Sequence, residues 1–270
     1  MKIGSGESGD KIVYVDPTSD GFVPYKMDEG LQFGLGFFET ILIRNVPYFL
    51  KEHLHRLNKS LKMFGFERYV HSRDVEELIQ FRSIKNTALK LIATEKNLFA
   101  VARPIPYNLN SYQQGMKVTS STIIKNRNSR LTAHKTLNYG ENILELRKAR
   151  ELGYDDCLFF NENGHITESA VANLFIIYRD KLITPPIFDG VLPGVIRQNI
   201  IENFDVCEKH VGREHLRLCQ GAFLTNSLMG AIRITNIDGM ELAAHPLYGD
   251  IIRFFGKMIP QKHKNGSLDL

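Results

Sequence analysis

Apolar positions along this chain change period several times, and each change marks an element. Phe37 to Arg44, FFETILIR, is a run of aromatic and β-branched residues that predicts a strand. NVPYFLK follows after a short turn and reads as its partner strand. KEHLHRLNKSLKMFGF then switches to helical spacing, with Leu54, Leu57, Leu61 and Phe64 on one face and Gly65 as the C-terminal cap. SRDVEELIQFRSI predicts a second helix, and ALKLIAT and LFAVARPIPY predict strands, the latter stopped by its prolines. The polar stretch IIKNRNSRLTAH, 123–134, breaks this order and reads as a linker between two halves.

Beyond it, Asn138 and Glu141 resemble a capping box that opens a helix. DDCLFF and HITESAVANLFIIY are strands joined through Asn163-Gly164, a strong hairpin signal. RDKLITPP adds a turn and a strand. GVLPGVIRQNIIENF is a helix whose start Pro193 and Gly194 mark, and GAFLTNSLMGAIRITNIDG reads as strand, polar break, strand. The pattern predicts a mixed α+β chain with domains at 1–122 and 135–270 and the linker at 123–134.

Composition narrows the class without naming a function. A net charge of +4 over 270 residues, from 34 basic and 30 acidic side chains, is too slight and dispersed for a nucleic-acid partner. The N-terminal MKIGSGESGDKIVYV lacks the apolar run of a signal peptide, and no stretch reaches the length of a membrane span. Cys157, Cys207 and Cys219 are odd in number and widely spaced, as in a reducing compartment. A cytoplasmic protein is the expectation.

Single residues say little by themselves. Lys135 stands on the loop before a helix, where a solvated amine and a reactive one are both readable. Glu168 is either a solvent-facing strand carboxylate or the partner of a protonated group. Arg56 is either a rim arginine with its stem on the core or an anion clamp. The amides of Val195 and Ile196, at a helix start after Gly194, suit an anion. Thr225 to Ser227 is either a turn or a further anion contact. The GSGESG stretch has no strand before it and no helix after it, so it is not a dinucleotide loop. The nine histidines form no HExxH or Cys/His array, and His53 and His55 are too close to be ligands from one helix face. No metal site is expected.

The ordered set GLGFFETILIRNVPYFLKEHLHRL, KTLNYGENILE, GHITESAVANLF, LPGVIRQ and FLTNSLMG resembles the fold-type IV pyridoxal-phosphate enzymes. These include branched-chain and D-amino-acid aminotransferases and 4-amino-4-deoxychorismate lyase, and the likeness spans about Phe33 to Ile234. It implies two α/β domains with pyridoxal 5′-phosphate in the cleft between them, and a homodimer. It implies that Lys135 holds the cofactor covalently and moves the substrate's proton. Glu168 would face the pyridine nitrogen, and Arg56, the Val195 and Ile196 amides and Ser227 would hold the phosphate. Tyr139 would lie near the ring.

Three features resemble the lyase more than the aminotransferases. Thr40, two residues after Phe38 in FFET, matches a threonine that assists proton transfer to the departing pyruvyl group, and Phe38 would contact the substrate. Lys90 in ALKLIA suits a substrate carboxylate. Asn226 and Leu228 in FLTNSLMG follow the lyase's version of that block. An arginine expected after ALKLIA is replaced in TEKNLFAVARP, with Lys96 and Arg103 as substitutes, and Arg233 stands where relatives carry proline. An aminotransferase, or a homologue that has kept the fold and lost catalysis, is the alternative.

Overall fold

The computed structural model describes residues 12–16 and 22–260, and the glycine-rich stretch Gly4 to Gly9 lies outside them. The chain forms two compact units, residues 1–106 with 135–138, and residues 107–134 with 139–270. The division therefore falls after residue 106 rather than after 122, and 123–134 is no free linker. The reason is the strand Met116–Lys125, whose two hydrogen-bonded neighbours both lie in the second unit's sheet.

The first unit runs β1 (Val13–Val15), α1 (Glu29–Phe33), β2 (Gly36–Ile43), α2 (Leu50–Met63), α3 (Ser72–Phe81), β3 (Thr87–Thr94) and β4 (Leu98–Arg103). Its sheet has the order β1-β4-β3-β2. The partner of β2 is β3, paired antiparallel from Gly36↔Thr94 to Ile43↔Thr87. NVPYFLK does not supply that partner, since it makes only an isolated bridge between Ile43 and Pro47. Proline has no N–H to continue a ladder, and Phe49 at φ 54° turns the chain into α2.

Every residue of β2 is buried, so both of its faces carry contacts. Phe37, Ile41 and Ile43 pack with Leu54, Leu57 and Leu61 of α2, and each such side chain contributes about 2 kcal/mol by leaving water. Alternation places Phe38 and Thr40 on the opposite face.

The second unit contains α4 (Leu109–Gln114), β5 (Met116–Lys125), α5 (Gly140–Glu151), β6 (Asp156–Asn161), β7 (Ile166–Ser169), β8 (Asn173–Tyr178), β9 (Lys181–Thr184), α6 (Val195–Asn203), β10 (Val206–Glu208), α7 (Arg213–Leu218), β11 (Gly221–Asn226), β12 (Gly230–Ile237), β13 (Met240–Glu241) and α8 (Pro246–Phe254). The sheet order is β10-β9-β8-β11-β12-β5-β6-β7, with β13 on β12. The β6–β7 hairpin turns as its sequence predicts, with Gly164 at φ 75°. No helix among the described residues is long and apolar enough to cross a membrane.

The capping box expected at Asn138 does not form. The N-cap of α5 is Tyr139, without a side-chain cap bond. Asn138 Nδ2 donates instead to the Gly34 carbonyl at 3.0 Å, and Glu141 pairs with Lys125 Nζ at 2.6 Å. Asn138 is held by the first unit's backbone before the helix begins, so its side chain is committed elsewhere.

Asp156 is fully buried in the second unit. It accepts from the Cys157 and Ala170 amides and from Ser169 Oγ. Burial pushes its carboxyl up to about 6, against these hydrogen bonds. A raised folded-state pKa makes the native protein bind the proton more tightly, so stability falls as pH rises from about 3.8 through about 6. Asn at this position can accept from the same amides and donate to Ser169 Oγ, whose own proton goes to the Ala172 carbonyl. Asp156→Asn is therefore expected to flatten that pH dependence, worth on the order of 3 kcal/mol, and to be at least as stable as the parent above pH ~7. Chemical-denaturation midpoints across the pH range measure it, and a variant with the parent's slope would refute the assignment.

Candidate active site

The backbone itself brings Lys135 to β2. That strand is at the sheet edge, and residues 135–138 pair with it: Phe38 N donates to Lys135 O at 2.8 Å and Leu137 N to Gly36 O at 2.9 Å. The result is that Lys135 Nζ lies 4.6 Å from the centre of the Phe38 ring. Lys90 Nζ lies 4.3 Å from the same centre. Thr40 faces Lys90 directly across the β2–β3 ladder. Burial lowers the Lys90 pKa, and the charge of Arg103 lowers it further. Phe38, Thr40, Lys90 and Lys135, which were separate expectations, share this region of the first unit.

Arg56 is engaged on the other face of β2. Its Nε and one terminal nitrogen bind the two oxygens of Glu39 at 2.7 Å each. His53 reaches the same carboxylate through Nδ1 at 2.6 Å. Burial raises the Glu39 carboxyl, but the Arg56 and His53 interactions outweigh it and hold the group down at about 2. The His53 pKa is lowered, first by burial and further by the charges of Arg56 and Lys135, against the raising effect of Glu39. His53 Nε2 is buried without a hydrogen-bond partner. Sequence reasoning passed over Glu39 and weighed His53 only as a metal ligand. Their signals were present: Glu39 sits in phase with Phe37 and Ile41, and His53 is three residues before Arg56 on one helix face.

In the second unit, Glu168 on β7 is not a free solvent-facing carboxylate. Its Oε2 accepts from Asn173 Nδ2 and from the Leu192 amide, each at 3.1 Å. Asn173 Nδ2 also donates to the Leu192 carbonyl at 2.9 Å, tying Glu168 to the approach to α6. That helix begins at Val195 and Ile196 with Gly194 as its N-cap and no side-chain cap. A β-carbon at Gly194 would stand 2.0 Å from Asn173 Oδ1, so only glycine allows this close approach.

The β11–β12 connection carries the last candidates. Asn226 Oδ1 accepts from the Leu228 and Met229 amides, and its Nδ2 donates to Tyr107 Oη and the Val171 carbonyl. Those bonds give Asn226 a turn-building role, and Leu228 is buried at 6% exposure. Ser227 is half-buried in the same turn. Thr225 Oγ1 is buried without a partner, and Thr225 pairs with Asn173 across the sheet. Tyr139 Oη donates to the Ala170 carbonyl.

These residues fit the groups of pyridoxal 5′-phosphate. A helix start uncapped by any side chain and an orphaned buried hydroxyl suit a phosphate dianion. An oriented carboxylate suits a protonated pyridine nitrogen.

Comparison with known proteins agrees. Residues 36–237 match the family model described as amino-transferase class IV. The chain is 28% identical over 241 residues to the aminodeoxychorismate lyase of Bacillus subtilis strain 168, covering 78% of this chain and 80% of that one. It is 26% identical over 251 residues to the branched-chain-amino-acid aminotransferase of Escherichia coli K12, 80% of each. A structure from Legionella pneumophila, described provisionally as a 4-amino-4-deoxychorismate lyase, superposes with a TM-score of 0.79 at 26% identity, covering 92% of this chain and all of that one. The architecture is the fold-type IV one expected from the sequence. The chain belongs to the class IV aminotransferase family, whose members are pyridoxal-phosphate-dependent enzymes.

Proposed function

We propose that this enzyme is a 4-amino-4-deoxychorismate lyase, eliminating pyruvate to leave 4-aminobenzoate for folate biosynthesis. The observation that carries the reading is the pair of lysine side chains whose Nζ atoms lie 4.3 Å (Lys90) and 4.6 Å (Lys135) from the centre of the Phe38 ring, with Thr40 opposite Lys90 in the ladder. A branched-chain amino acid offers one carboxylate and an apolar side chain. A half-buried ammonium such as that of Lys90, set against such a side chain, would cost desolvation and gain nothing. A dicarboxylate substrate supplies Lys90 with a partner. Arg103, whose charge already acts on Lys90, is the better substitute for the family's missing arginine than Lys96.

When bound, the cofactor supplies an electron sink for the charge released at the carbon bearing the substrate's amine. Lys135 would hold the cofactor and take the proton from that carbon. Thr40 would relay that proton from Lys135 to the departing enolpyruvyl group as the carbon–oxygen bond breaks and the ring becomes aromatic. Glu168 would keep the pyridine nitrogen protonated by favouring its charged form. Arg56, the amides of Val195 and Ile196, and Ser227 would hold the phosphate, and Glu39 with His53 sets the Arg56 fork in position. Substrate and products balance without a second substrate.

Incubation of the purified enzyme with aminodeoxychorismate is expected to release pyruvate and 4-aminobenzoate in equal amounts with no keto acid added. Turnover that instead requires a keto acid and a branched-chain or D-amino acid would replace the lyase with an aminotransferase. The reading extends to a cytoplasmic homodimer, which sedimentation equilibrium checks at twice the chain mass.

A further inference from the structure

Three chain segments of the second unit converge on a carboxylate that the proposed reaction does not use. Asp189 ends the short 3-10 turn Ile187–Asp189, and its side chain is fully buried. His165 stands at the close of the β6–β7 turn, and His210 lies between β10 and α7. His210 Nδ1 is 2.7 Å from one Asp189 oxygen and 2.9 Å from the other. His165 Nδ1 approaches the same carboxylate at 3.6 Å, beyond hydrogen-bond range, and is buried without a hydrogen-bond partner. The two imidazole rings stack with centroids 4.2 Å apart.

The backbone builds this arrangement independently of the three side chains. Ile166 N donates to the Val211 carbonyl at 2.7 Å, fastening the two histidine-bearing segments together. Asn161 Nδ2 donates to the Asp189 carbonyl while its Oδ1 accepts from the His165 amide, fastening the third. The convergence is therefore imposed by the fold.

His165 Nδ1 is left without a hydrogen-bond partner in this cluster. A divalent ion takes a lone pair from each imidazole and one carboxylate oxygen, and offsets the buried negative charge. One donor atom from each residue lies within 4.8 Å of the others. Zinc–nitrogen and zinc–oxygen bonds of about 2.0–2.2 Å need donors roughly 3.0–3.6 Å apart in a tetrahedral site. The distances of 2.7 and 3.6 Å to Asp189 bracket that spacing.

We propose that His165, Asp189 and His210 form a binding site for a divalent transition metal, with zinc the best match to two imidazoles and one carboxylate. The half-exposed side of His210 leaves the fourth position to water. The ion clamps the loop that runs from Asp189 to Leu192, whose amide holds Glu168, and on to the start of α6.

The test uses the full chain, purified without a polyhistidine tag and stripped with EDTA. Zinc titration against a chromophoric chelator is expected to show one tight site per chain, and cobalt is expected to give the visible absorption of a tetrahedral site. His210→Ala, at an exposed position, and His165→Gln are each expected to weaken zinc binding by at least about tenfold. Zinc should raise the thermal midpoint of the parent and leave that of His210→Ala unchanged. Absence of a stoichiometric site, or binding that both variants retain at parental strength, would overturn the proposal. The cofactor's own absorption is independent of this outcome.

Discussion

Lys135→Ala is expected to yield a folded, colourless protein with activity reduced by on the order of 10^3-fold or more. The fold should survive because the interactions that place this residue come from the backbone. The Lys135 carbonyl accepts from Phe38 N, and Leu137 N donates to Gly36 O, both of which alanine leaves intact. The activity should not survive, because the proposed mechanism needs the amine twice, to attach the cofactor and to move the substrate proton. Arginine cannot substitute, since its guanidinium stays protonated and does not serve as a nucleophile. The measurement is visible absorption after incubation with pyridoxal 5′-phosphate, followed by borohydride reduction and peptide mass spectrometry. A reduced label on the peptide containing Lys135 in the parent, and none in the variant, is the expected pair of results. A variant that stays yellow and takes the label elsewhere would show that another lysine does this work, and would reopen the site assignment. An unlabelled, colourless parent would support a homologue that has kept the fold without its chemistry.

Glu39→Ala should produce the largest loss of stability. Glu39 is 1% exposed and binds both Arg56, through two hydrogen bonds, and His53, which is fully buried. Removing the carboxylate leaves a poorly solvated guanidinium and an imidazole N–H without their acceptor. Breaking a buried pair in this way costs about 3–5 kcal/mol, which corresponds to a fall of roughly 10 °C in thermal midpoint for a chain of this size.

The pH dependence gives a signature that a simple cavity would not. The Glu39 carboxyl is held at about 2 in the folded protein against an ordinary 4.5. Its contribution is therefore complete above pH 4.5 and lost as pH falls from 4.5 towards 2. The gap in stability between the parent and Glu39→Gln, which keeps the shape and removes the charge, should narrow across that window. A gap that is constant with pH would place the cost in packing. Arg56 is oriented by Glu39, so if Arg56 holds the phosphate as proposed, the glutamine variant should also bind pyridoxal phosphate more weakly, measured as a raised cofactor dissociation constant at neutral pH.

Local sequence determined much of this protein. Helical spacing through Leu54, Leu57 and Leu61, the Gly164 turn, the Gly194 helix start and the two strands around Thr225–Ser227 are all found where the pattern puts them. The reason is that periodicity and turn chemistry act over a few residues, within reach of a one-dimensional reading. The ordered blocks also carried the family, which the match over residues 36–237 bears out.

Tertiary structure decided what depends on partners far apart in the chain. NVPYFLK looked like a strand, but β2 took β3 as its neighbour, and the edge left open received residues 135–138. Asn138 looked like a helix cap until Gly34, 104 residues away, claimed its amide. Met116–Lys125 joined the second sheet and moved the boundary, because a strand's allegiance is set by its ladder partners. Glu39 and His53 carry no motif, yet burial against Arg56 makes them one electrostatic unit. His165, Asp189 and His210 lie more than twenty residues from one another in turn, and no spacing rule could group them. Charge and hydrogen bonding act through space in a low-dielectric interior, so only the folded chain reveals which polar groups answer to each other.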